Sequence, residues 1–285
     1  MKKSILILVG ILIAVYIALS LLSTNQEYAA EKIFFAAMQA NNKIVLNPEV
    51  APPQLLASVE TKLKKIITKY PKTRIVKQVE MALAEFYISN KKFKEALLHL
   101  DGLIDKYPQD PYFTCNATFM KGVTYERSGK WSDAVKIFDF IKEKYSNTPT
   151  GFQVPIYIAR YYENNGNGTA AQQAYLDAIA FYKKLERDNA GQPIGYLASA
   201  AMMQIFLQLS NSSEAARVFD ETMKNYKAPI YRVQLLQYVD PIFVTKLKKP
   251  EKAMQIYKTL QKEIPNKQIK QMLTKKMAQI GKLKK

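Results

Sequence analysis

With one cysteine, one histidine and one tryptophan in 285 residues, the chain is short of the side chains that most often do chemistry. Cys115 has no partner for an intrachain disulfide. His99, with no second histidine and no paired cysteines, cannot complete a zinc-type ligand set or a histidine relay, and it reads as a structural side chain in a helix. Ten glycines build no phosphate-cradling loop, and neither HExxH nor GxSxG occurs. The carboxylates are scattered as charged helix faces require, with no pair marked as acid and base. The chain is therefore expected to be no enzyme, with no catalytic residue, no metal and no cofactor. Acid is also scarce: 24 acidic against 42 basic residues leave a formal charge of +18, which favours anionic surroundings without choosing among them. A hydrophobic share of 48% is enough for a substantial core.

What is present is an array. In Glu85 to Pro108, Tyr87 is followed nine residues later by Ala96, then by Leu100, Leu103 and Pro108, on either side of the polar break Ser89-Asn90-Lys91. That spacing predicts two amphipathic helices in antiparallel contact. Gly122, Tyr125, Ala134, Phe138 and Ile141 repeat the pattern around Ser128-Gly129-Lys130, 38 residues later. Phe206, Ala215, Phe219 and Met223 repeat it again, as do Val244, Ala253, Tyr257, Leu260 and Pro265. Helix ends fall at Tyr70, Tyr107, Tyr145, Tyr226 and Ile264. The alanines stand where two helices cross closely, and a single pair cannot bury its apolar face, so neighbouring pairs are expected to stack.

This pattern resembles the tetratricopeptide repeat, with a small residue and a tyrosine in the first helix, an alanine and an aromatic in the second, and a proline at the end. The resemblance covers copies at 77–110, 115–149, 196–229 and 234–267, and more loosely 28–71 and 152–193. The family's first-helix tryptophan is missing and the spacing exceeds its usual 34 residues. The resemblance implies an all-α protein whose body is an α-solenoid, with another protein held as an extended or helical segment on the concave wall of first helices. Counting Tyr87, Tyr125, Tyr162 and Phe206 as equivalent, the inward candidates are Gln78, Met81 and Glu85; Asn116, Phe119, Val123 and Arg127; Gln153, Ile156 and Arg160; and Gln204. They lack the Lys and Asn clamp with which some members grip a C-terminal carboxylate.

Ahead of the array, Ile5 to Leu22 is eighteen residues without a charge. At 1.5 Å per residue this spans about 27 Å, close to a bilayer core. Residues 1–24 are expected to be a transmembrane anchor, with Ala18-Leu19-Ser20 as the cleavage site of the alternative, a signal peptide. Lys2 and Lys3 keep the N-terminus cytoplasmic and export residues 25–285, which in a bacterium is the periplasmic side of the inner membrane. Gly10, Ala14 and Ala18 share one face and offer a site for homo-oligomer contact.

Within the body, a first helix is expected at 28–42, a stiff turn at Asn47-Pro48 and Pro52-Pro53, and a second helix to Tyr70. Residues 61–77 carry seven basic residues and no acid. Lys62, Lys65, Lys69, Lys72 and Arg74 among them form a basic surface, read as a solvated face or as an anionic-headgroup contact. From Ala134 to Ala215 is 81 residues, where two repeats would take 76, and the surplus is expected in surface loops at 163–169 and 187–195. Asp240-Pro241 should break another first helix, as a kink or as a fresh start with proline at its first position, and residues 268–285 should cap the array. Together these features predict a membrane-anchored scaffold for protein interaction in the cell envelope, similar in layout to bacterial anchored repeat proteins of outer-membrane assembly and secretion. The alternative is a binder of anionic membrane or polyanion. Nucleic acid is disfavoured by the exported topology.

Overall fold

The computed structural model describes residues 2–46 and 52–282, with side chains from residue 25 onward and at Ile13. It forms two compact units, residues 1–150 and 151–285. The first contains α1 (Lys2–Leu46), α2 (Pro53–Lys69), α3 (Val76–Ser89), α4 (Phe93–Lys106), α5 (Pro111–Arg127) and α6 (Trp131–Lys144). The second contains most of α7 (Pro149–Asn164), then α8 (Gly168–Asp188), α9 (Pro193–Gln208), α10 (Ser212–Asn225), α11 (Pro229–Val239), a π-helical turn (Asp240–Lys246), α12 (Pro250–Glu263) and α13 (Lys267–Lys282). Prolines open α2, α5, α7, α9, α11 and α12, where a missing N–H costs nothing and the fixed φ suits the first helical turn.

The polar breaks read from the sequence are one turn geometry used repeatedly. Lys91, Gly129, Gly166, Ser210 and Lys248 all have left-handed φ between 54° and 79°, and each lies two residues before a second helix. The N–H groups of Lys92, Lys130, Asn167 and Asn211 donate to the carbonyls of Tyr87, Tyr125, Tyr162 and Phe206 at 2.8–2.9 Å. Those of Lys91, Gly129, Gly166 and Ser210 donate to residues three earlier at 2.9–3.1 Å. These paired bonds satisfy the last carbonyls of the first helix and fix where the second begins.

Each second helix then places an alanine at its fourth position and a large apolar residue at its eighth. The alanines are Ala96, Ala134, Ala171, Ala215 and Ala253, at most 5% exposed; the partners are Leu100, Phe138, Tyr175, Phe219 and Tyr257, at most 3% exposed. Ala171 is the member that a fixed 38-residue step misses. In unit 1 the fit is tight enough that a Cβ on Gly122 of α5 would run into the Phe138 ring.

Two expectations are corrected. The surplus residues between Ala134 and Ala215 do not sit in surface loops; they lengthen α8 to 21 residues, against 14 in α4, α6, α10 and α12. At Asp240-Pro241 the α-helix α11 ends, after Val239, and a π-helical turn starts with proline in its first turn. Pro241 has no N–H to give and its ring crowds the preceding turn, and the chain widens into the π-helical turn, which absorbs one extra residue. As a result Phe243, not Val244, occupies the position of Tyr87, and its carbonyl accepts from the Lys249 N–H at 2.7 Å. The first helix of the body does not start near residue 28, because α1 runs unbroken from Lys2, with neither Gly nor Pro between residues 11 and 47 to stop it.

Among the described residues no helix is long and apolar enough to cross a membrane. The side chains of Gly10, Ala14 and Ala18 lie outside the described ones. α1 packs on α2 through Ala30, Ala37 and Ile44, which join Val59, Leu63, Ile66, Leu83, Phe86 and Leu100 in the core of unit 1. α13 buries Leu273 and Ile280, while Met272 is 39% exposed.

A carboxylate pins α2 to the next hairpin. Glu60 accepts from Lys64 (2.7 Å), Lys92 (2.7 Å) and the Tyr87 hydroxyl (3.0 Å). Burial alone would raise its pKa, but the three donors outweigh burial and hold it at about 2.

The turns and this carboxylate can both be tested by substitution. Lys91→Gly or Ser210→Gly should stabilise the protein by about 1 kcal/mol by relieving left-handed strain, and Gly129→Ala should destabilise it by about as much, read from denaturation midpoints. Because the folded pKa of Glu60 lies below its unfolded value, its contribution is complete above about pH 4.5 and disappears as pH falls towards 2. Glu60→Gln should therefore flatten the acid limb of the stability profile between those values, and an unchanged profile would refute the assignment.

Candidate partner-binding surfaces

α3 and α5 lie against each other in unit 1 and turn their predicted binding residues outward. Gln78 and Glu85 on α3 are exposed and Met81 is half-buried, while Val79, Leu83 and Phe86 face the core. On α5, Asn116 and Arg127 are exposed and Phe119 and Val123 are half-buried. Asn116 accepts a hydrogen bond from the Thr150 hydroxyl. Phe119 leans on Phe138 with ring centroids 5.5 Å apart, so part of its surface already serves packing. Gln153 and Arg160 on α7 and Gln204 on α9 are exposed and Ile156 is half-buried, within unit 2. The seven residues on α3 and α5 thus share one unit as a mixed wall of amides, charges and apolar side chains, and the other four belong to the second.

The basic surface is placed by α2 and the turn after it. Lys65, Lys69, Lys72 and Arg74 are exposed; Lys62 is half-buried and donates to the Ser58 hydroxyl at 2.5 Å. Positions 62, 65 and 69 share a helical stripe that flanks the face of the buried Val59, Leu63 and Ile66. Lys64, one residue away, is spent on Glu60.

Sequence reasoning missed a groove of about 610 Å³ on the other side of α2, walled by Ile67, Leu83, Leu98 and Leu103. At its base lies Glu80, 2% exposed, whose carboxylate takes Lys106 (2.6 Å) and the Tyr107 hydroxyl (2.7 Å). His99 Nε2 lies 2.9 Å from the Glu80 carbonyl; since a carbonyl only accepts, this nitrogen carries the ring proton. Burial pushes the imidazole pKa down, against a smaller upward pull from that bond, which favours the neutral ring at pH 7. Two signals for the groove were in the sequence: Leu98 falls on the polar side of α4 and is 77% exposed, and a glycine, Gly102, stands one turn later within the helix. A Cβ on Gly102 would meet nothing within 4 Å, so packing within the chain does not demand a glycine there.

The remaining singled-out residues are packing groups. Cys115 is fully buried and receives the Thr148 hydroxyl at 3.1 Å. Trp131 rests on Phe138, with centroids 5.9 Å apart. Among the described residues, no three metal-ligating side chains come together.

No protein-family model and no curated protein matches the chain. Among solved structures, a tetratricopeptide repeat protein from Parabacteroides merdae ATCC 43184 aligns with 87% of this chain and 99% of its own, at 13% identity and a TM-score of 0.30. At that score the likeness carries no argument about family or function.

Proposed function

We propose that this chain is a membrane-anchored scaffold of tetratricopeptide type that holds a segment of another protein and performs no catalysis. The observation that carries the reading is the recurrent hairpin: five turns with a left-handed residue two positions before the second helix, each followed by a buried alanine at the fourth position of that helix. Such stacking consumes the apolar faces and leaves the outward faces of first helices free for recognition. The wall of Gln78, Met81, Glu85, Asn116, Val123 and Arg127 in unit 1 is the first candidate, with Gln153, Ile156, Arg160 and Gln204 as a second set. Its polar and apolar mix suits a peptide or helix bound by several modest contacts.

The anchor in this reading rests on Ile5 to Leu22 and the lysines before it, with the body in the bacterial periplasm and a role in assembly or secretion of envelope complexes. The groups proposed to recognise the partner are exposed and lie outside the core, which makes the reading testable without unfolding the protein. In intact cells, crosslinking followed by capture through a C-terminal tag should recover an envelope protein. The triple variant Gln78→Ala, Glu85→Ala, Arg127→Ala should recover at least about tenfold less of it, as expected when interface anchors are removed. Undiminished recovery would refute the wall. Protease added to spheroplasts should digest the body; digestion only after lysis would invert the topology.

A further inference from the structure

We infer that the turn joining α2 to α3 is a contact site for anionic phospholipid headgroups, seating unit 1 against the bilayer at the foot of α1. The inference rests on the anchor reading above and adds to it a surface, a ligand chemistry and a geometry.

The site consists of Lys69 at the end of α2 and Lys72 and Arg74 in the following turn. All three side chains are exposed, and among the described residues no carboxylate forms an ion pair with any of them. In the same unit Lys64, Lys77, Lys92, Lys106 and Lys121 each hold a carboxylate at 2.6–2.7 Å, and other exposed cations without an ion pair, such as Lys43, Lys94 and Lys144, lie on separate elements. Three cations left open side by side, in a unit that neutralises so many others, are free to meet an external anion.

Their height along α1 is fixed by a hydrogen-bonded clamp. The Arg74 backbone N–H donates to both carboxylate oxygens of Glu27, at 3.1 and 3.2 Å, across 47 residues of sequence. Glu27 follows Leu22, the last residue of the uncharged run, by five positions on the same unbroken helix. Five residues rise about 8 Å, and the headgroup layer outside the hydrocarbon core is roughly 5–8 Å deep on each side. The clamp therefore brings the turn to headgroup level. Tyr28, the next residue of α1, is 66% exposed at the same height, where an amphipathic ring is favoured. The acids nearby do not cancel the patch: Glu27, which accepts from the neutral Arg74 N–H, is one charge against three, and Glu31 stands a turn further from the membrane beside the exposed Lys32. The cations reach this level through folding rather than through sequence proximity, so they fall outside the short flanks that set topology and do not oppose an exported body.

The test uses the full chain reconstituted in nanodiscs made of equal parts phosphatidylcholine and phosphatidylglycerol, with native mass spectrometry counting the lipids that stay bound on release. Wild type should retain phosphatidylglycerol in preference, with roughly a fivefold weight per cation. The triple variant Lys69→Gln, Lys72→Gln, Arg74→Gln should fall to parity while keeping its unfolding midpoint, because these side chains are exposed and bear no ion pair. Enrichment that persists in the triple variant, or parity in an inserted wild type, overturns the headgroup site and leaves the anchor reading standing. Protein that elutes free of lipid with both compositions overturns the anchor reading, and the headgroup site with it. Duplex DNA bound by wild type in neutral discs and lost in the triple variant, with phosphatidylglycerol enrichment unchanged, would assign the patch to nucleic acid and overturn the lipid contact.

Discussion

The close crossing of two helices at a buried alanine is the constraint on which the rest depends. Where Ala96 and Ala134 are fully buried against the preceding helix, even one more methylene would push the pair apart. Such crossings work only if the second helix begins at a fixed place relative to the first. The left-handed residue and its paired backbone bonds supply that registration, at a strain cost carried by Lys91, Ser210 and Lys248 and avoided at Gly129 and Gly166. Once turn and crossing are set, the large residue four positions later enters the core and the opposite face of the first helix is left outside.

Much of this was legible because it is local. Tyr87, Tyr125 and Phe206, each nine residues before an alanine, mark both the carbonyl that closes the turn and the close crossing. The reading failed where length was spent inside a helix. Tyr162 and Ala171 keep the nine-residue spacing, yet Ala171 follows Ala134 by 37 residues and precedes Ala215 by 44, the longer interval holding the seven additional residues of α8, so a constant step of 38 found it from neither side. Val244 was chosen over Phe243 for the same reason, since the π-helical turn adds a residue that periodicity does not reveal. The outward placement of Gln78, Glu85, Asn116 and Arg127 could be read from helical phase alone. The groove over Glu80 could be read only in part, because helical phase turns Leu98 of α4 outward but the floor depends on a carboxylate held by residues 26 and 27 positions away.

The strongly basic composition becomes more informative once its charges have places. Within unit 1 the paired lysines act as short ties between helices: Lys92 to Glu60, Lys106 to Glu80 and Lys77 to Asp110 each join side chains more than twenty-five residues apart. Most are partly exposed and each contributes modestly. Their distribution matters more than their number, because three of the cations left without a carboxylate stand together at one end of α2. Formal charge counted over the chain cannot distinguish ties from an open patch.

The turn geometry has a consequence for how copies of this hairpin can differ. Length changes between related segments usually accumulate in loops, which tolerate them because little is packed there. Here the connectors change least: in four of the five hairpins nine residues separate the carbonyl that closes the turn from the buried alanine, and the fifth takes ten only because its π-helical turn absorbs the extra residue. The differences among copies appear instead in the last turns of α8 and in the widened turn after Val239, where an added residue shifts only the chain downstream of it. The usual division of labour is reversed: connectors carry the invariant geometry of this array, and helices carry its variation.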